Sequence, residues 1–289
     1  MTRLTEADVR DLTARLTAFE ADLVAVSGLT LRALAQRTLD VDRALTPSAS
    51  AVPVSFAGVP VTTAVPFEDA RVAAVPVSQG EGLIPGFCEC VAAILTHLGC
   101  AARVTDVADV RGLQEAADGG DEVVFVADDS RFIALSLRSG VCADDDPATA
   151  DGYATALAAA AGGLDGRPVL LLGLGPVGRA AGRRLTALGA ALLVVDPDDA
   201  AVARAGGEGL AFKRTDLATG LARCDLVYDA TPAAGIVRAG DLRPGALVAA
   251  PGVPPALDPG ALVALGPRHI HEPLAVGVAV MAARALTGG

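Results

Sequence analysis

The spacing of apolar positions changes period several times along the chain, and each change marks an element. Residues 5–37 alternate charged and apolar positions at helical spacing, with Glu6 and Asp8 in the first turn, which predicts one or two helices. The stretch ALTPSASAVPVSFAGVPVTTAVPF (44–67) mixes proline, hydroxyl and valine and predicts short edge strands and loops. RVAAVPV (71–77) then reads as a strand, FCECVAAILTHLG (87–99) as an apolar helix and ARVTD (102–106) as a strand. VADVRGLQEAADGG (107–120) is a helix ending on glycines, and DEVVFVA (121–127) a third strand. Strand alternating with helix in this way predicts a parallel α/β layer.

The second half repeats the alternation. ATADGYATALAAAAGGL (148–164) predicts an alanine-rich helix stopped by Gly162 and Gly163. After it come RPVLLLGLGPVG, the strand ALLVVD (191–196), a helix near 198–206, the strands CDLVYDA (224–230) and GALVAA (245–250), and the apolar helix PLAVGVAVMAARAL (273–286). The expected fold is α/β in two domains. Residues 1–150 form an N-terminal helix and an α/β catalytic domain that holds substrate. Residues 151–289 form a bridging helix, a Rossmann-type doubly wound dinucleotide-binding domain and a C-terminal helix.

Gly173-Leu174-Gly175-Pro176-Val177-Gly178 is G-x-G-x-x-G, a weak signal alone in a chain with 32 glycines. Its setting strengthens it: a buried strand precedes it, a helix follows, and the next strand ends in Asp196, eighteen residues after Gly178. Gly173 permits a tight turn, Gly175 lets backbone approach a pyrophosphate, and Gly178 packs helix on strand. Pro176 and Val177 open the helix whose N-terminus faces the phosphate charge. Asp196 is expected to accept hydrogen bonds from the adenosine ribose and to repel a 2′-phosphate. Pro197 follows with no arginine to reverse that preference, so NAD is the expected cofactor. Two later turns fall where such a sheet presents residues at its carboxyl edge. Thr231 and Pro232 follow one strand and Pro251 follows another; the prolines are assigned to the cofactor, and the Thr231 hydroxyl to substrate.

Charge and composition exclude other classes. Against 34 Asp and Glu stand 23 Lys and Arg, a net charge of −11 with no tryptophan and only one lysine, so a nucleic-acid partner is not expected. The start MTRLTEADVRDL is charged and lacks an apolar signal core, and the longest uncharged stretch is broken by prolines. No membrane span is expected, and a cytoplasmic location is. Cys88 and Cys90 form C-x-C without the second ligand pair that zinc needs, so no metal is expected.

Proton partners for carbonyl chemistry are scarce. His97 reads as a packed or surface-tip residue, Lys213 as solvated, His269 and His271 as neighbours on one strand face, and Tyr153 as lining the cleft or packing. Oxidation of an amine to an imine asks for less: the nitrogen lone pair expels hydride from the adjacent carbon, and a carboxylate that positions the amine can take its proton. VVFVADDSRF (123–132) ends a strand on Asp128 and Asp129, which are the candidates. The competing reading makes one of them the cap of a helix over DDSRFIALSL.

These stretches together resemble the pyrrolysine synthase family. The likeness is carried by VPVSQGEGLIPGF (75–87), VVFVADDSRFIAL (123–135), LLGLGPVG (171–178), DATPAAG (229–235), APGVPPAL (250–257) and HEPLAVGVAVM (271–281). It implies a dehydrogenase that uses NAD to oxidise the terminal amine of 3-methyl-D-ornithyl-Nε-L-lysine, a dipeptide-like cation, giving an imine that cyclises with loss of ammonia. The resemblance also implies two domains facing each other across the substrate, with an N-terminal helix closing over it. Carried onto this chain, the acid pair holds the substrate amine, with Asp129 the first choice and Asp128 beside it. Ser78 contacts substrate and Leu4 is an apolar lid contact. The rival readings are another two-domain amine or amino-acid dehydrogenase and a dinucleotide-binding sensor without turnover.

Overall fold

The computed structural model describes residues 12–45, 56–60, 63–79 and 86–288. Helix α1 (Leu12–Ser27) is separated from α2 (Leu31–Leu45) by Gly28, whose φ of 73° lies in the left-handed region that ends a helix at little cost. The predicted start of the first helix lies outside the described residues. No strand occurs in the described parts of 44–67; α2 runs to Leu45, and Phe56–Gly58 forms a single 3-10 turn.

The first sheet is built from β1 (Arg71–Val75), α3 (Phe87–His97), β2 (Ala101–Val104), α4 (Asp109–Gly119), β3 (Val123–Ala127), β4 (Phe132–Ser136) and β5 (Cys142–Asp144), in strand order β2-β1-β3-β4-β5. β1, β2 and β3 are parallel, as the alternation predicts, but β4 and β5 add antiparallel strands. The helix reading of DDSRFIALSL is therefore wrong. Ala127 pairs with Phe132, and Asp128 donates its N–H to the Arg131 carbonyl at 2.8 Å, so 128–131 is a hairpin turn. The physical reason is period: Phe132, Ala134 and Ser136 are buried while Ile133 and Leu135 are less so, an alternation of two that suits a strand.

Helix α5 (Asp145–Ala160) leads to the second sheet, starting three residues before its predicted onset because Asp144 caps it by accepting from the Asp146 N–H. There follow β6 (Pro168–Leu172), α6 (Pro176–Ala187), β7 (Ala191–Val195), α7 (Asp199–Gly207), β8 (Lys213–Arg214), α8 (Leu217–Arg223), β9 (Leu226–Asp229), β10 (Leu247–Ala249), α9 (Pro259–Leu265), β11 (His269–Ile270) and α10 (Ala275–Thr287). The strand order β11-β10-β9-β6-β7-β8, all parallel, is the doubly wound Rossmann arrangement, and its order reverses between β6 and β9.

α10 is apolar nearly all round because it is buried nearly all round. It packs against α2, α3, α5 and β4, so the last element of the chain belongs to the core between the two sheets. Gly152 of α5 and Gly277 of α10 let those helices meet. A Cβ at Gly277 would lie 2.4 Å from Asp145 Oδ1, and one at Gly152 2.5 Å from Val276 Cγ1. Polar ties cross the same seam. The Tyr153 hydroxyl donates to the Glu272 carbonyl at 2.6 Å and accepts from the Glu272 N–H at 2.9 Å, while the Tyr228 hydroxyl donates to the Ala150 carbonyl. Arg184 of α6 donates to Asp42 of α2 and pairs with Asp151 of α5 at 2.9 Å; Arg284 of α10 bridges the same two acids at 2.9 and 2.6 Å. α1 is pinned to both halves by Glu20–His97 at 3.0 Å and Arg15–Glu272 at 2.7 Å.

Candidate active site

At the point where the strand order reverses, β6 runs into the glycine turn. Gly173 has φ 89°, and a Cβ there would lie 2.8 Å from the Ala230 carbonyl oxygen, so the turn presses against the end of β9. A Cβ on Gly178 would lie 2.1 Å from the Gly173 carbonyl oxygen, which fixes how closely α6 approaches the turn. Gly175 differs: its missing Cβ points into open space. It is the N-cap of α6, with Pro176 at the first helical position, and among the described residues no side chain caps the first turn. An exposed glycine before uncapped helix N–H groups is the cradle that a pyrophosphate fits. Gly175→Ala is expected to leave the melting temperature unchanged and to weaken dinucleotide binding by about tenfold. Gly178→Ala is expected to lower both; calorimetric titration beside a melting curve separates the two.

Asp196 closes the far side of this turn. Its Oδ2 accepts from the Leu174 N–H at 2.6 Å and its Oδ1 from the Asp198 N–H at 2.8 Å. The carboxylate braces the glycine loop and keeps acceptor capacity for ribose hydroxyls, since two oxygens carry about four lone-pair sites. Arg214 also stands here, contrary to the expectation that no arginine would. β8 pairs beside β7, and Arg214 donates Nη2 to the Asp196 carbonyl at 3.0 Å and Nη1 to Asp199 at 2.7 Å. The two-residue strand that brings it there lies well down the sequence from Asp196 and left no periodic signal.

The β9 and β10 loops are tied together by Asp229, which the sequence placed only in a turn motif. It is fully buried, its Oδ1 accepting from the Thr231 N–H at 3.1 Å and its Oδ2 from the Ala256 N–H at 2.6 Å. Burial pushes its carboxyl up to about 6 against those two bonds. A Cβ on Gly252 would sit 2.5 Å from the Thr231 carbonyl oxygen, so the loops are in close contact. The Thr231 hydroxyl accepts from the Ala233 N–H at 3.2 Å. Pro232 is exposed at the loop tip, whereas Pro251 is buried behind it.

The carboxyl edge of the first sheet carries the other candidates, because β1 and β3 are adjacent and parallel. Ser78 follows β1 and is exposed; its N–H and hydroxyl both donate to Asp109, at 2.8 and 2.5 Å. Asp109 begins α4 at φ 59°, an unfavourable left-handed conformation for a residue other than glycine. These bonds, the Ser78 hydroxyl first, lower its carboxyl below the ordinary range. Asp128 and Asp129 follow β3, both exposed. Asp128 Oδ1 accepts from the Ser130 N–H at 2.7 Å and the Arg131 N–H at 2.8 Å, and those bonds lower its carboxyl. Arg131 continues from the hairpin to Asp144 at 2.5 Å, joining this edge to the start of α5. Leu4 and residues 80–85 of the Ser78 loop lie outside the described residues.

Two acids at the start of α5 were not singled out by sequence. Burial, then the neighbouring Asp144, raises Asp146. Burial against α10 pushes Asp145 up to about 6, opposed by the Thr149 hydroxyl that donates to it at 2.9 Å. A carboxyl held above its unfolded value binds its proton more tightly when folded, so stability falls as pH rises from about 4 through 6. Asp145→Asn keeps an acceptor for Thr149. It is expected to raise stability by about 1–2 kcal/mol at pH 8 and to give no gain at pH 4, read from melting curves at both.

The remaining proton partners stand elsewhere. Tyr153 is fully buried and packs. His97 is tied to Glu20, and Lys213 is exposed on β8. His269 and His271 stack at 5.1 Å, with His271 Nδ1 on the Ala250 carbonyl. Burial and then His271 lower His269 to about 4. Among the described residues no group of three or more His, Cys, Asp or Glu could hold a metal ion, and no helix is long and apolar enough to cross a membrane.

Residues 8–143 match the family described as pyrrolysine biosynthesis protein PylD, N-terminal domain. The pyrrolysine synthase of Methanosarcina acetivorans is 31% identical over 212 residues, which cover 73% of this chain and 80% of that protein. The pyrrolysine synthase of Methanosarcina barkeri is 31% identical over 211 residues, covering 73% and 79%. Among solved structures, quinate dehydrogenase from Corynebacterium glutamicum in complex with NAD superposes with a TM-score of 0.49 at 16% identity, covering 76% of this chain and 95% of that one. The shikimate 5-dehydrogenase of Thermus thermophilus gives 0.49 at 15% identity, covering 75% and 93%. Those structural likenesses are too remote to bear on activity or cofactor.

Proposed function

This chain belongs to the pyrrolysine synthase family, and from that premise we propose that it is an NAD-dependent oxidoreductase acting on a primary amine. The substrate of this reading is 3-methyl-D-ornithyl-Nε-L-lysine. The carbon bearing the terminal amine of the ornithine part loses hydride and the nitrogen loses a proton, giving an imine. The substrate's own α-amine attacks that carbon, and ring closure expels ammonia. When bound, the nicotinamide supplies the hydride acceptor.

The observation that carries the proposal is the placement of two adjacent acids on one hairpin turn. Asp128 accepts two turn N–H groups on one oxygen, which fixes the hairpin, and Asp129 stands next to it, exposed, at the edge of the first sheet. An exposed, turn-mounted carboxylate suits a substrate that arrives as a cation. It holds the ammonium, then takes the proton that must leave before the nitrogen lone pair can act. Ser78, held by Asp109, stands on the neighbouring loop, where its position rather than its basicity matters. The cofactor cradle supports the second half of the reading. Gly175 opens onto the first turn of α6, which no described side chain caps, Asp196 braces the turn, and Asp229 locks the Thr231 and Pro251 loops beside it.

The test is the rise in reduced-nicotinamide absorbance when NAD and the lysine-linked methylornithine are mixed with the protein, with the product analysed for the pyrroline ring. NADH and cyclised product in equal amounts are expected. Dinucleotide binding without turnover of any amine would sink the proposal.

A further inference from the structure

The adenosine end of the cradle holds a cation that the reading above leaves unused. Arg214 comes from the two-residue β8, whose register sets it opposite Val194, two residues before Asp196. Its guanidinium reaches over the end of β7: Nη2 donates to the Asp196 carbonyl at 3.0 Å and Nη1 to Asp199 Oδ1 at 2.7 Å. The G-x-G-x-x-G geometry assigns Asp196 to the ribose, so the Arg214 guanidinium stands beside the position where a phosphate on the ribose 2′-oxygen would lie.

Two further observations define what this cation can do. First, its partner is weakly held: the Asp199 side chain is 87% exposed and that of Arg214 45%, and an exposed pair of this kind contributes little. Exchanging one exposed carboxylate for a phosphate dianion, through charge-assisted bonds to a planar guanidinium, favours the phosphate. Second, the Asp196 carboxylate stands against that exchange. It is fixed by the Leu174 and Asp198 N–H groups and cannot swing away without releasing the glycine loop. A fixed negative charge at the ribose opposes a second one on the 2′-oxygen.

We infer that Arg214 is a latent receptor for a 2′-phosphate, so that the preference for the unphosphorylated dinucleotide rests on the single charge of Asp196 rather than on the lack of a phosphate-binding cation. The inference rests on the dinucleotide reading of the cradle and adds to it the residue that would accept NADP once Asp196 is neutral.

Calorimetric titration of NAD and NADP into the wild type, Asp196→Asn, and Asp196→Asn combined with Arg214→Ala or Arg214→Lys decides it. The quantity read is the ratio of the two affinities, so general damage to the glycine loop cancels. Asp196→Asn is expected to move the ratio toward NADP by about tenfold or more. Arg214→Ala in that background is expected to cancel the gain, and Arg214→Lys to keep part of it, as a point charge without the planar fork. A gain that survives Arg214→Ala, or no gain at all, overturns the role given to Arg214 while leaving NAD binding intact. If the wild type binds neither dinucleotide, the cradle reading falls first and the inference falls with it.

Discussion

Asp129→Asn is expected to lower the rate of NADH formation by about two to three orders of magnitude. The side chain keeps its shape and its ability to accept a hydrogen bond, so only the charge and the basicity are lost. Both are needed at different moments in the proposed reaction: the charge to gather a cationic amine, the basicity to take its proton. Asp128→Asn is expected to behave differently. Its amide oxygen still accepts the Ser130 and Arg131 N–H groups, so turnover is expected to stay within about threefold of wild type, with a small loss of stability because a carboxylate accepts those bonds more strongly. Steady-state rates beside melting curves for the two variants make the comparison. Equal, near-wild-type rates in both would remove the acid pair from the reaction. A deep loss in Asp128→Asn alone would reverse the assignment of the two residues.

What the sequence made legible follows the range of the interactions involved. The strand, glycine turn, helix and following Asp196 lie within 29 residues, and each has a local physical requirement, so motif and structure agree there. The hairpin at 128–131 is nearly as local, yet a helix cap competed with it, because Asp serves both turns equally well. The signal that the sequence did offer is the Phe, Ile and Leu content of FIALS, which suits a strand; the alternation of two is seen only in its burial in the fold. Arg214 escaped notice because a two-residue strand has no period to read. Its partners Asp196 and Asp199 meet it only through sheet order. Asp109 and Ser78 meet across 31 residues through the parallel register of the first sheet, and nothing in either local sequence announces the pairing.

The least legible feature is also the one whose removal is expected to cost most stability. Arg184→Ala is expected to destabilise the fold by about 3–5 kcal/mol, since removing one partner from a buried ion network leaves the others uncompensated. Arg184 is 5% exposed and lies between Asp42 and Asp151, each of which also meets Arg284. With Arg184 gone, Asp42 and Asp151 each lose one guanidinium partner in a partly dry seam. The pH dependence distinguishes this account from a simple packing loss. Burial works to raise Asp151, but the Arg184 and Arg284 guanidiniums outweigh it and hold the carboxyl below its ordinary value. A carboxyl lowered by folding contributes stability that is complete above about pH 4 and is lost as pH falls through its folded value. The gap between wild type and Arg184→Ala is therefore expected to be widest at pH 7 and to narrow as the pH is taken towards 3. A gap that stays constant with pH would assign the loss to packing alone. Because Arg184 lies on α6, the helix whose N-terminus forms the phosphate cradle, the same substitution is expected to weaken dinucleotide binding at temperatures where the variant is still folded. Arg184→Lys, which keeps the charge but not the planar guanidinium whose Nη2 meets both acids, is expected to fall between the two in both measurements.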